Sequence, residues 1–144
     1  MDGGGRLVLG VDTDVFLDGD RLGKAADAAD ARAMLARLSG RTHEVVSGLC
    51  LRGPQEEELH RVVTEVTFRP LRAEEIDGYV GTGEWEGRAG AYAVQGLGAT
   101  LVERIEGDYL NVVGLPAALL VRLLAELLPH RSASTEPGTS PERP

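Results

Sequence analysis

The sequence contains little cysteine, few aromatic residues and no long apolar run. Its 144 residues include one cysteine, Cys50, three histidines, one Trp, three Tyr and two Phe. A single cysteine excludes an intrachain disulfide and a multi-cysteine metal site, and the histidines, at positions 43, 60 and 130, lack ligand spacing. No stretch approaches the ~20 apolar residues of a membrane span, and the start, MDGGGR, lacks the apolar region of a signal peptide. We therefore expect a cytoplasmic protein without a membrane partner.

Positive charge is also scarce. The chain has 15 Lys and Arg against 23 Asp and Glu, which gives a net charge of −8 and a pI near 4.9. Proteins that bind nucleic acid polymers present faces rich in Lys and Arg to the phosphate backbone, so this balance argues against a nucleic acid polymer as partner. A nucleotide substrate is compatible with it, because a nucleotide needs only a few local cations. The length fits one domain with a sizeable core.

The stretch Leu7–Lys24 carries the most informative local pattern. Its short apolar run, Leu7–Val11, predicts a buried strand that ends at Asp12. Leu17–Asp20 contains a Gly and predicts a tight turn, after which Lys24 brings a cation back towards the strand. A carboxylate and an ammonium so arranged suit a phosphate or a metal-bound phosphate. The alternative is an ordinary hairpin with a surface Asp and Lys, and these residues alone favour it.

The rest of the chain alternates helical and strand patterns. Asp27 is a predicted helix cap, and Gly40 a predicted helix end. The predicted elements are a helix that buries Ala31, Met34, Leu35 and Leu38, a hairpin of residues 41–51 and 61–68, a helix with Glu74 and Glu75 in its first turn and Ile76, Tyr79 and Val80 buried, a strand over residues 100–105, and a last helix from Pro116.

Domain bounds follow from composition. We predict a disordered N-terminus over residues 1–6, one domain over residues 7–128, and a disordered tail rich in Ser, Thr, Pro and Glu over residues 129–144. Cys50 lies in an apolar, strand-like run and is expected to be a buried small hydrophobe. His43 is expected to have a structural role rather than a catalytic one.

Four sequence blocks, in order, resemble those of one family. The family's Asp-Thr-Val-Val, Leu-Asp-Gly and Leu-Gly-Lys-Pro motifs have counterparts in the first block, and its Lys-Ala-Gly-Ala-Tyr-Ala-Ile-Gln-Gly motif has one in the third. The blocks are Asp12–Ala25, Leu35–Gly48, Arg88–Gly96 and Ile105–Pro116. Together they resemble the Maf family of septum formation proteins, which act as nucleoside triphosphate pyrophosphatases.

The resemblance implies a fold, a reaction and a site. The fold would be α/β, a Maf/ITPase-like mixed sheet flanked by helices. The reaction would hydrolyse dTTP, UTP or modified pyrimidine nucleotides to the monophosphate and pyrophosphate, with a divalent cation, Mg²⁺ or Mn²⁺, as cofactor. Asp12 would be the catalytic carboxylate and a metal ligand, and Thr13, Lys24 and Gln95 would bind the substrate. A homodimer is an assembly that the resemblance leaves open.

The chain also departs from the family pattern. Asp14 stands where the family has Val, Ala25 where it has Pro, and Arg88 where it has Lys. The family's first strand and its Ser-x-Ser-Pro-Arg-Arg loop, which grips the triphosphate, have no counterpart in the sequence, so we expect an N-terminally truncated version of the fold. The alternative function is therefore a catalytically impaired Maf-like domain that serves as a weak nucleotide-binding or dimerisation module.

Overall fold

The computed structural model describes residues 6–127. Five strands, four α-helices and one short 3₁₀ helix, Leu97–Leu101, make up the described part. In chain order the elements are β1 (Val8–Leu17), β2 (Asp20–Arg21), α1 (Ala28–Leu38), β3 (Thr42–Arg52), β4 (Glu57–Phe68), α2 (Ala73–Gly81), β5 (Val102–Glu106), α3 (Tyr109–Val113) and α4 (Ala117–Leu127). The predictions for residues 1–5 and 128–144 lie outside this range, and the domain bounds stay a prediction.

The strands form one sheet in the order β2-β1-β3-β4-β5. The predicted α/β class, with helices flanking a sheet, is confirmed. All four strand pairings within residues 6–127 are antiparallel, whereas we expected a mixed sheet. The short connections explain the antiparallel pairs: β1 reaches β2, and β3 reaches β4, through turns too short for the crossover that parallel neighbours require.

The helices cover one face of this sheet. Asp27 caps the N-terminus of helix α1, and its carboxylate accepts a hydrogen bond of 2.8 Å from the Asp30 N–H. Its predicted stripe of Ala31, Met34, Leu35 and Leu38 is buried, and it packs with Val15, Leu17 and Phe68 of the sheet in the main core. A smaller cluster joins Leu49 and Leu51 to Leu123 of α4. The prediction of an apolar face on α1 is confirmed.

The other face of the sheet carries no helix within residues 6–127. Successive side chains of a strand point to opposite faces, and the outer ones include Val8, 55% exposed, and Leu59, 70% exposed. Cys50 lies on this face and is only half-buried. The expectation that Cys50 is buried is therefore wrong, because strand alternation turns it away from the helices.

Strand β1 does not end where the apolar run ends. It continues to Leu17, and its ladder with β3 includes the pairs Asp12–Gly48 and Thr13–Ser47. Asp12 is exposed in the middle of the strand, so the prediction of a buried strand that ends at Asp12 is wrong. Backbone pairing to β3 carries the strand through polar residues that the hydrophobicity pattern treats as its end.

Two further local features decide the shape near the site. Asp18 (φ 52°) and Gly19 (φ 85°) form the predicted turn between β1 and β2. Helix α3 was not predicted, and Asp108 caps it by accepting a hydrogen bond of 2.9 Å from the Leu110 N–H. Among residues 6–127, no helix has the length and apolar character to cross a membrane.

Candidate functional site

A cavity of about 170 Å³ lies on the helix-covered face of the sheet. Three of the four predicted site residues line it: Thr13, Lys24 and Gln95. They come from a strand, a loop and a second loop that are distant in sequence. The remaining lining residues are Val15, Val45, Gly87, Arg88, Ala89, Tyr92, Ala93, Val112, Val113 and Gly114.

Strand β1 fixes Thr13 at the cavity wall. Its hydroxyl lies 2.7 Å from the Ser47 hydroxyl on the paired position of β3. The same hydroxyl donates a longer hydrogen bond, 3.4 Å, to the Gly114 carbonyl that follows α3. Because a threonine hydroxyl both donates and accepts, these contacts orient Thr13 and leave it a polar group of the cavity lining.

Two cations lie at the mouth of the cavity. Lys24 pairs with Ala89 in an isolated antiparallel bridge, and the Gly90 N–H donates a 2.8 Å hydrogen bond to the Gly23 carbonyl. This pairing brings Lys24 and Arg88 to the same cavity. Both side chains are exposed, and neither forms an ion pair with another residue of the range 6–127. Exposed cations without an ion-pair partner at close range suit phosphate groups.

Gln95 lies on a loop that a buried hydroxyl and a carboxylate hold. The Glu84 carboxylate accepts hydrogen bonds from the Tyr79 hydroxyl at 2.6 Å, the Leu97 N–H at 3.0 Å and the Gly98 N–H at 2.9 Å. The Gln95 side chain is exposed. The loop therefore has a fixed backbone and a free amide at the cavity.

Asn111 fastens the opposite wall of the cavity. Its side chain is fully buried, and its Nδ2 donates to the Val45 carbonyl (3.2 Å), the Val62 carbonyl (3.2 Å) and the Thr64 hydroxyl (3.0 Å). These bonds tie α3 to the middle of the sheet. Residues 112–114, which follow Asn111, are thereby held against the cavity.

Asp12 does not line this cavity. It lies on the open face of the sheet, in a shallow groove with Gly10, Gly48, Cys50 and Leu59 as neighbours. The structure thus brings Thr13, Lys24 and Gln95 together and places Asp12 on the other side of β1. Among residues 6–127 the strand is nevertheless an edge at this point, since its pairing with β2 is confined to Phe16 and Leu17.

The extra carboxylate at Asp14 is neutralised by a neighbour. Asp14 forms a hydrogen-bonded ion pair with Arg21, which returns along the β1–β2 hairpin. The hydrogen bond from Arg21 to Asp14 and the charge of Asp14, with a smaller contribution from Asp12, raise the pKa of the Arg21 guanidinium. Asp14 therefore presents a compensated charge beside Asp12.

The described residues offer a metal ion few protein ligands. No group of three or more His, Cys, Asp or Glu side chains within residues 6–127 is arranged to hold one. The exposed Asp12 carboxylate forms no hydrogen bond or ion pair to another described side chain, so its oxygens are accessible. Mg²⁺ commonly binds through one or two carboxylates, water and substrate phosphates. Asp12 can supply one carboxylate ligand to such a cation, and the described residues form no dedicated metal cage.

Several residues of this region were missed by sequence reasoning. Glu84 lies outside the four blocks, and Asn111 lies in the block Ile105–Pro116, but no role was predicted for either residue. His43, for which a structural role was expected, lies in the core and is 1% exposed. Tyr92 packs against it and also contributes to the cavity wall.

Comparison with known proteins adds independent evidence. The family model described as "Maf-like protein" matches residues 3–127. The chain is similar to the dTTP/UTP pyrophosphatase of Symbiobacterium thermophilum, 50% identical over 122 residues that make up 85% of this chain and 63% of that protein. It is also similar to the dTTP/UTP pyrophosphatases of Pyrococcus furiosus (47% over 117 residues; 81% and 62%) and Aquifex aeolicus (47% over 121 residues; 84% and 64%). The chain thus spans less than two thirds of the length of these relatives. The match over residues 3–127 shows that this chain belongs to the Maf family.

Proposed function

We propose that this protein hydrolyses pyrimidine nucleoside triphosphates, dTTP and UTP above all, to the monophosphate and pyrophosphate. The observation that carries the proposal is the cavity in which Thr13, Lys24 and Gln95 meet. Three relatives named dTTP/UTP pyrophosphatase are 47–50% identical to the chain and support the same reaction. The chain covers less than two thirds of each relative, so the activity named for those longer proteins is a proposal for this chain.

The polar groups of the cavity lining are of two chemical kinds. Gln95 offers an amide that both donates and accepts hydrogen bonds, as the edge of a uracil or thymine base requires, and the Thr13 hydroxyl, whose proton is donated to the Gly114 carbonyl, offers an acceptor. Lys24 and Arg88 offer positive charge to phosphate oxygens. A nucleotide whose base contacts the first pair would therefore extend its phosphates along the second.

Asp12 supplies the chemical step in this proposal. A triphosphate that crosses the unpaired outer edge of β1 can contact Thr13 on one face and Asp12 on the other. The carboxylate of Asp12 takes a proton from water as the water oxygen bonds to the α-phosphorus. The bond from the α-phosphorus to the bridging oxygen breaks, and pyrophosphate leaves. A divalent cation bound with the substrate would neutralise charge on the phosphates.

A second function is favoured by one specific observation. Asp12 does not line the cavity that contains Thr13, Lys24 and Gln95. A domain that binds the nucleotide in the cavity without positioning it against Asp12 would act as a nucleotide-binding module. The two functions share a binding site and differ in turnover.

One experiment separates these functions. The chain is incubated with Mg²⁺ and, in turn, dTTP, UTP, CTP, ATP and GTP, and both the monophosphate and pyrophosphate are quantified. Calorimetry with a non-hydrolysable αβ-methylene analogue of dTTP measures binding. Release of pyrophosphate with preference for dTTP and UTP is expected. Binding without turnover would support the module, and neither binding nor turnover would overturn both functions.

A further inference from the structure

We propose that Glu84 is a positioning residue for pyrimidine recognition, because it fixes the loop that presents Gln95 to the cavity. The proposal rests on the proposed function and extends it to a residue outside the cavity lining. Gln95 contacts the substrate in this scheme, whereas Glu84 acts only through the backbone of the residues on either side of Gln95.

The contacts of Glu84 converge from three directions. Its Oε1 accepts from the Tyr79 hydroxyl (2.6 Å) and from the Gly98 N–H (2.9 Å), and its Oε2 accepts from the Leu97 N–H (3.0 Å). Three donors need three acceptor lone pairs, and a carboxylate supplies about four, whereas the single oxygen of an amide supplies two. Hydrogen bonds to a charged acceptor are also stronger than those to a neutral one.

Tyr79 extends the same network to the other side of Gln95. Its hydroxyl donates to Glu84 and accepts a hydrogen bond of 3.0 Å from the Ala93 N–H. The backbone is therefore held at Ala93, two residues before Gln95, and at Leu97, two residues after it. Tyr79 is 6% exposed and belongs to the main core, so the network connects the loop to the rigid part of the molecule.

Glycine at position 96 makes room for the carboxylate. A Cβ added at Gly96 would lie 2.1 Å from Oε2 of Glu84, closer than any real contact. At Gly98 a Cβ would lie 2.4 Å from the Ala93 carbonyl oxygen. The loop around Gln95 is thus shaped so that the Glu84 carboxylate occupies the space beside its backbone.

The charge state of Glu84 agrees with this role. Burial raises the pKa of its carboxyl group, but the hydrogen bonds from Tyr79, Leu97 and Gly98 and the positive charge of Arg88 outweigh that effect, and the net pKa is lowered. Glu84 is therefore an anion at neutral pH. The Gln95 side chain makes no hydrogen bond to another residue within the described range, so its direction depends on the backbone that Glu84 holds.

The test compares Glu84→Gln with Glu86→Gln, which removes the same charge at an exposed site two residues away. Steady-state kinetics with dTTP, UTP and CTP are measured well below the Tm of each variant. Glu84→Gln is expected to raise KM for dTTP about tenfold and to reduce the preference for dTTP over CTP, with a smaller change in kcat. Glu86→Gln is expected to match the wild type. If Glu84→Gln folds poorly, Tyr79→Phe is a milder variant, because it removes only one of the three donors. It should raise KM for dTTP by a smaller factor.

A double-mutant cycle with Gln95→Ala distinguishes positioning from general destabilisation. If Glu84 acts through Gln95, KM for dTTP in the double variant should be less than about twofold higher than in Gln95→Ala alone. Amide hydrogen exchange should also show faster exchange at Leu97 and Gly98 in Glu84→Gln only.

Each contrary result has a separate meaning. If the kinetic effects of Glu84→Gln and Gln95→Ala multiply in the double variant, the positioning role alone is overturned. The same holds if the wild type is active and Glu84→Gln has the same KM and nucleotide preference as Glu86→Gln. A wild type that neither binds nor hydrolyses any of these nucleotides would overturn the proposed function and this inference with it.

Discussion

The Nε2 atom of His43 lies 2.7 Å from the Tyr92 hydroxyl, in the core of the protein. The imidazole is 1% exposed and makes edge contacts with the Phe68 and Tyr92 rings, with centroid separations of 5.1 and 5.5 Å. Its Nδ1 has no hydrogen-bond partner within the described residues. Burial lowers the pKa of His43 to about 4, so the ring is neutral at physiological pH and fixes the cavity-lining Tyr92.

We expect this histidine to make folding stability depend on pH. A histidine in the unfolded chain has a pKa near 6.5, whereas His43 has a pKa of about 4 in the folded protein. Below pH 6.5 the unfolded state takes up a proton that the folded state does not. The free energy of unfolding is therefore expected to fall by about 3 kcal/mol as pH drops from 6.5 to 4, and to be fully retained above 6.5.

Urea unfolding at several pH values between 4 and 7 measures this effect. His43→Phe keeps a ring in the core and removes the titrating group, so its pH dependence should be weaker than that of the wild type. Tyr92→Phe keeps the buried histidine and should retain the wild-type dependence, because burial is the cause of the pKa shift. Equal pH dependence in His43→Phe and the wild type would contradict the assignment.

Asn111 should make one of the larger side-chain contributions to stability near the cavity. Asn111→Ala removes the contacts of the amide with the Val45 and Val62 carbonyls and the Thr64 hydroxyl, which join α3 to the sheet, and leaves a void. We expect the free energy of unfolding to fall by about 2–4 kcal/mol. Leu110→Ala, at a side chain 45% exposed on the same helix, should cost less than about 1 kcal/mol. Denaturant titration of both variants checks the difference, and equal losses would contradict the anchoring role.

Local signals in the sequence were sufficient for much of the fold. Asp27 and the apolar spacing after it predicted α1, and Asp18–Gly19 predicted the first turn. Helix α3 was missed because it is only five residues long, and its stability comes from the buried amide of Asn111 rather than from an apolar stripe. Strand β1 was misplaced because its polar half is held by pairing to β3, which a hydrophobicity pattern does not contain.

The candidate site shows a similar division. Resemblance to family motifs selected Thr13, Lys24 and Gln95, and the structure places them around one cavity. The resemblance did not indicate that Asp12 faces the opposite side of the sheet. That orientation depends on strand alternation, and the strand was predicted to end at this position. Glu84 was missed for another reason: its partners are a tyrosine five residues before it and backbone N–H groups more than ten residues after it.

Asp12→Asn tests the proposed role of Asp12 as the catalytic carboxylate. Asn is nearly the same size but accepts no proton from water, so kcat for dTTP hydrolysis should fall about 10²- to 10⁴-fold. The Tm should be unchanged, because the Asp12 side chain is exposed and bonded to no other described side chain. Glu44→Gln removes a carboxylate from an exposed position on the same face of the sheet and should keep wild-type turnover. Pyrophosphate release and a thermal melt are the measurements, and wild-type turnover by Asp12→Asn would exclude this residue as the base.

The cations at the cavity mouth give the last prediction. If Lys24 and Arg88 hold phosphates, then Lys24→Gln and Arg88→Gln should each weaken binding of the dTTP analogue about tenfold. Both substitutions should weaken the binding of dTMP less and the binding of thymidine hardly at all, because the lost interaction grows with the number of phosphate charges. Raising the ionic strength should reduce the difference in affinity for the dTTP analogue between each variant and the wild type, since salt screens exposed charges.

Two matched variants sharpen this prediction. Arg104→Gln removes a cation from an exposed position on β5, which lies outside the cavity lining, and should bind all three ligands as the wild type does. Arg88→Lys keeps the charge and replaces the planar fork with a point charge, so it should retain most of the affinity that Arg88→Gln loses. Calorimetric titration with the dTTP analogue, dTMP and thymidine measures each case. If thymidine binding weakened as much as that of the triphosphate analogue, the two cations would be acting on the shape of the cavity rather than on phosphate, and the proposed orientation of the nucleotide would be wrong.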